Sequence, residues 1–119
     1  MNWYLAKIVY RIICGEGDHT SQFDEQIRLI KANNKEEAFH HANRIAKEEE
    51  EIFLNDKQQL VQWRFINVCA LYKLGDLIDG AELYSRIEER DDADEYIHTI
   101  HKKAEHILSG HSLELLKLV

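Results

Sequence analysis

A chain of 119 residues with 45% hydrophobic and 9% aromatic content has the size of one domain, and a disordered or fibrous class is excluded. Its formal net charge of −7, from 22 acidic and 15 basic side chains without basic clustering, argues against a nucleic-acid partner and favours a basic protein. No run approaches the roughly 20 apolar residues of a membrane helix, so no membrane partner is expected either.

The opening MNWYLAKIVYRIIC lacks a basic leader and a small-residue cleavage site, so it reads as a strand rather than a signal peptide. Tyr4, Ala6, Ile8, Tyr10, Ile12 and Cys14 form one apolar row at the strand period. The opposite row mixes Trp3, Leu5, Val9 and Ile13 with Lys7 and Arg11, so that face is expected to be partly covered. GEGDHTS is turn chemistry, and FDEQIRLIKA over residues 23–32 reads as a returning, more polar strand.

Asn34 opens NKEE, a variant of the capping box that starts a helix. Ala38, Phe39, Ala42, Ile45, Ala46, Ile52 and Phe53 make its apolar stripe, which predicts a helix running to Leu54. Residues 61–88 read as a central second hairpin. Val61, Trp63 and Phe65 alternate with polar residues, and a bulge is expected near Asn67. Two Gly-Asp turn signals follow, and residues 81–88 are expected to return as a strand. Asp91 and Asp92 are candidate caps for a second helix with the stripe Ala93, Tyr96, Ile97, Ile100, Ala104, Ile107 and Leu108, stopping at Gly110.

The order ββαββα predicts an α+β fold: a two-layer, four-stranded, mainly antiparallel sheet with two helices on one face, a permuted ferredoxin-like plait. Residues 1–110 are expected as a single domain. The apolar tail 111–119 is expected to dock on it or on a second subunit. A homodimer is expected because one sheet face would otherwise expose Trp3, Leu5 and Val9.

The succession WYLAKIVYRI, FDEQIRLI, a Glu-rich helix, VQWRFINVCALYKL and DGAELYSRI resembles the bacterial domain-of-unknown-function family 4288. The resemblance covers about residues 2–90 and leaves the second helix and the tail as less typical additions. It implies a bacterial cytoplasmic protein and transfers no catalytic residue.

No catalytic constellation, cofactor loop or metal-ligand spacing is expected to carry chemistry here. Cys14 and Cys69 lack CxxC spacing and are expected as buried free thiols. The seven histidines, including His40, His41, His98 and His101, lack a third ligand at metal spacing and read as surface residues. The acidic run from Glu48 to Glu51 reads first as a solvated helix face and second as a docking surface. The candidate interaction surface is Asp76, Asp79, Glu82, Tyr84, Arg86 and Glu88, the last four taken as the outward row of a strand. The expected function is a non-enzymatic acidic protein-interaction module, in its most concrete form an inhibitor or immunity-type protein with a basic partner. The alternative is a ligand-binding or enzymatic pocket between sheet and helices near Trp63, Tyr72 and Tyr84.

Overall fold

The computed structural model describes residues 1–109. The chain divides into two compact units, Met1–Ser85 and Arg86–Val119, and each is described by itself. The expected tail and the stop at Gly110 lie outside the described residues.

The first unit contains β1 (Asn2–Cys14), β2 (Gln22–Ala32), α1 (Lys35–Glu48), β3 (Glu51–Leu54) and β4 (Leu60–Lys73). The strands form one antiparallel sheet in the order β2-β1-β4-β3. The α+β class and the four-stranded antiparallel sheet are as expected. The plait-like strand order is not: a permuted plait would set β2 beside β4, and here β1 takes that place.

Strand β1 organises the unit because its even row is apolar throughout. Tyr4, Ala6, Ile8 and Tyr10 face α1 and are buried, together with Ile30 and Ala32 of β2 and Val68 of β4. Ala38, Ala42 and Ala46 supply the helix side of this core, each at most 1% exposed. Their small side chains at one-turn spacing let the helix lie close on the sheet. Asn34 caps α1 as its sequence predicts, its Oδ1 accepting from the Glu37 N–H at 2.9 Å. The turn after β1 places Gly15 and Gly17 at φ 61° and 84°, a left-handed backbone that side-chain-bearing residues rarely adopt.

Helix α1 stops at Glu48, short of the expected Leu54. Acidic residues are unfavourable at the negative end of a helix dipole, and the run from Glu48 to Glu51 sits there. The following Ile-Phe-Leu instead pairs with β4, from Glu51↔Trp63 to Leu54↔Leu60. The Asn55 side chain closes this hairpin, its Oδ1 accepting from the N–H groups of Lys57 at 2.9 Å and Gln59 at 3.0 Å.

Strand β4 has β1 along one edge and β3 against only Leu60–Trp63 of the other; residues 81–88 do not pair with the part of that edge left open, and they are not a strand. The Leu74 N–H donates to the Trp3 carbonyl at 2.8 Å, and Tyr84 packs edge-on against Tyr72 at 5.7 Å. Tyr72 pairs with Leu5, on the sheet face away from α1. The expected irregularity near Asn67 is a pair of register shifts on either side of it, between Lys7/Ile8 and Val9/Tyr10 along β1. Cys69 falls in the first shift and is exposed, while Cys14 is half-buried; both are free thiols, but neither is buried as expected.

The second unit contains α2 (Ala93–Ser109). The Asp92 carboxylate accepts from the Glu95 N–H at 3.0 Å, so of the two candidate caps Asp92 is the one used. None of the residues of α2 is buried.

Candidate functional site

The C-terminal end of α1 overhangs a polar end of the sheet. On β2, period-two geometry turns Asp24, Gln26 and Arg28 to the helix side, opposite Tyr10, Ile8 and Ala6 of β1. These side chains form a continuous relay. Trp63 Nε1 donates to Asp24 Oδ2 at 3.1 Å, and Gln26 Nε2 donates to the same oxygen at 2.8 Å. Arg28 donates to Gln26 Oε1 through Nη2 at 2.7 Å and Nε at 3.1 Å, and also pairs with Glu49. The charge-assisted bond to Glu49 holds the Arg28 guanidinium above its ordinary pKa, so it stays a fixed cation.

Between this relay and the run from Glu48 to Glu51 lies a cleft of about 460 Å³, with Tyr10 and Trp63 on its floor and wall. Burial, followed by the neighbouring Glu49 carboxylate, pushes the Tyr10 phenol above its ordinary pKa, so it remains neutral at physiological pH. Glu50 accepts from the Phe65 N–H at 2.9 Å and has Arg64 at 4.0 Å. Phe53 stacks on Trp63 with centroids 6.1 Å apart. The cleft thus combines four carboxylates, one of them already paired with the Arg28 cation, neutral acceptors and an aromatic wall; the acids left over suit a cationic group such as a guanidinium or an ammonium.

The residues of the sequence-predicted surface are divided between the two units. Asp76, Asp79, Glu82 and Tyr84 are exposed in the first unit, whereas Arg86 and Glu88 belong to the second. With no strand at 81–88, Glu82, Tyr84, Arg86 and Glu88 are not one outward row. Glu88 is instead paired with both Arg86 and Arg90. Asp76 follows Leu74, which bonds to Trp3, so it sits at the opposite end of β1 from Tyr10. Trp3 and Tyr10 are seven strand steps apart, about 23 Å. Of the three aromatics expected around one pocket, Tyr72 and Tyr84 stay together while Trp63 parts from them: Trp63 pairs with Ile12 on the α1 side, and Tyr72 with Leu5 on the other.

Sequence reasoning weighed the run from Glu48 to Glu51 but missed the Asp24, Gln26 and Arg28 row. Its signal was the alternation of polar side chains in β2. Only the pairing register shows that this row faces the helix end rather than solvent. Among the described residues, no group of three or more His, Cys, Asp or Glu side chains is placed to hold a metal ion. His41 Nδ1 lies 3.2 Å from the Lys31 carbonyl, and His98 and His101 are exposed on α2. No helix among the described residues is long and apolar enough to cross a membrane.

Fold and cleft together define a small α+β domain in which one helix lies across an antiparallel sheet and ends over an acidic recess. The family described as a domain of unknown function (DUF4288) matches residues 3–85, and the chain belongs to that family. The match covers the first unit almost completely and ends before α2. Neither a curated protein nor a solved structure matches the chain.

Proposed function

We propose that this chain is a non-enzymatic protein-interaction module of the bacterial cytoplasm that binds a basic partner, in the manner of an inhibitor or immunity protein. The observation that carries the reading is the position of Glu48 to Glu51 at the carboxyl end of α1. A helix dipole makes acids in the last turn and at its cap unfavourable by a few tenths to about 1 kcal/mol each, so Glu48 and Glu49 cost stability there. Arg28 and Arg64 engage Glu49 and Glu50. Glu48 and Glu51 have no cation within 4.0 Å among the described residues. A lysine or arginine of the partner entering beside Trp63 relieves that unbalanced charge. Asp76, Asp79, Glu82 and Tyr84 offer a second, separate contact on the same unit.

Affinity capture at low salt tests this reading, with the captured protein identified and then released by a salt step. The variant Glu48→Lys/Glu51→Lys should fail to retain the same protein. Capture of a partner that is equally retained by that variant and insensitive to salt would reject the reading.

A second reading, a small cationic ligand held in the same cleft, is favoured by the volume of about 460 Å³, which falls in the usual range of ligand sites. Calorimetric titration with free arginine and with a simple alkylamine separates the two, because binding of the free cation at micromolar concentration would favour the ligand.

A further inference from the structure

Two backbone groups fix the state of the His19 ring. The Cys14 N–H, at the end of β1, donates to His19 Nε2 at 3.0 Å. The other ring nitrogen, Nδ1, lies 2.8 Å from the Thr20 carbonyl. An amide N–H can only donate and a carbonyl can only accept, so Nε2 is bare and Nδ1 carries the proton. The ring that closes the β1–β2 turn is therefore neutral. His41 is the contrast: its Nδ1 donates to the Lys31 carbonyl at 3.2 Å, a bond that a protonated ring keeps.

A proton on Nε2 of His19 would set two N–H groups against each other and leave the Cys14 amide without its acceptor. The recess around the ring is lined by Cys14, Glu16, Asp18, Thr20, Gln22 and, from the turn between β3 and β4, Gln59. Its titratable groups besides the imidazole are the Cys14 thiol and the Glu16 and Asp18 carboxylates, while β2 and the β3–β4 turn contribute only the neutral amides of Gln22 and Gln59. The Arg11 guanidinium of β1 turns instead to the Ser21 hydroxyl, at 3.5 Å. Among the described residues no carboxylate lies within 4.0 Å of the ring, so the closed turn holds no ion pair for an imidazolium. Glu16 and Asp18 can receive it only after the ring has left the Cys14 amide.

Cys14 is also where the two turns at this end of the sheet are tied together. Its Sγ donates to Gln59 Oε1 at 3.5 Å and accepts from Asn55 Nδ2 at 3.7 Å, and the adjacent Gly15 N–H donates to the Leu60 carbonyl at 2.7 Å.

We infer that His19 is a pH-sensitive latch: neutral, it pins the β1–β2 turn to the end of β1; protonated, it releases the Cys14 amide and turns to Glu16 or Asp18. Histidine ordinarily changes charge between about pH 5 and 8, so the turn is closed at the upper end of that range and opens as pH falls.

The test uses the full chain from about pH 8 down to about pH 6, which keeps it above its pI of about 5.4 and so anionic. Nitrogen-15 NMR of the His19 ring should show Nδ1 protonated and Nε2 bare at the upper limit. Exchange of the Cys14 amide is expressed as protection relative to an unstructured chain at the same pH. This protection should fall by about three- to tenfold as the ring becomes protonated, while that of Ile8 at the sheet centre stays constant. His19→Gln offers an amide oxygen that accepts without titrating, so its Cys14 protection should not change with pH. An Nε2-protonated ring at the upper limit, a ring still neutral at the lower one, Cys14 protection that is constant while the ring titrates, or an equal loss in His19→Gln would each overturn the inference.

Discussion

The Tyr10 hydroxyl donates a 2.7 Å hydrogen bond to the carbonyl of Ala46. Ala46 lies in the last turn of α1, where carbonyls have no partner within the helix. The neighbouring Ile45 carbonyl accepts from the Glu49 N–H at 3.1 Å and the Lys47 carbonyl from the Glu50 N–H at 3.3 Å, and Tyr10 reaches up from the centre of the sheet to satisfy the one between them. One buried side chain thus ties the sheet to the helix end and fixes where the acidic run emerges.

Replacing Tyr10 by Phe keeps the ring in the core and removes this bond. The change should cost about 1 to 3 kcal/mol, because the Ala46 carbonyl is left buried without its donor. Urea unfolding measures it.

The same phenol gives stability a pH dependence. Burial first, then the Glu49 charge, raises its pKa above the ordinary 10.0. A raised folded-state value means that the stabilisation is complete below the unfolded-state pKa and is lost as pH rises through the folded-state one. The unaltered protein should therefore lose stability above about pH 10, and Tyr10→Phe should lose less over the same interval. Denaturant midpoints at stepped alkaline pH compare the two.

Ala42 is 1% exposed between helix and sheet. Ala42→Leu inserts a branched side chain where the backbones lie close, and should destabilise by about 1 to 3 kcal/mol. The same change at Lys47, exposed on the helix, should move stability by less than about 0.5 kcal/mol. Thermal unfolding of both variants checks the contrast.

Trp63→Phe retains an aromatic partner for Phe53 but loses the bond to Asp24 at 3.1 Å. The expected cost is about 1 kcal/mol, with loss of order along the relay through Gln26 to Arg28. Guanidinium resonances of Arg28 followed by NMR should broaden in the variant and stay sharp in the unaltered chain.

Much of the fold could be read in the residues because the signals were local. The even row of β1, the Asn34 cap, the glycine-rich turn and the irregularity beside Asn67 depend on near neighbours in sequence. The end of α1 did not yield, since Ile52 and Phe53 continue the helical stripe from Ile45 as well as they suit a strand. Residues 81–88 failed for another reason. Their alternation suits a strand, but a strand also needs a partner edge, and they do not pair with the part of β4 beyond Trp63 that β3 leaves open, which no local pattern records. The cleft was half legible. Glu48 to Glu51 stand out as a run, but their association with Asp24, Gln26 and Arg28 depends on the register between β1 and β2.

The central claim is that the acidic end of α1 receives a basic protein. Its most direct test is calorimetric affinity for the captured partner across a salt series, for the unaltered chain and for Glu48→Lys/Glu51→Lys. Affinity should fall steadily with salt for the unaltered chain, and the double reversal should weaken binding at low salt by roughly a hundredfold or more. Equal affinities for the two proteins, with no dependence on salt, would contradict the account.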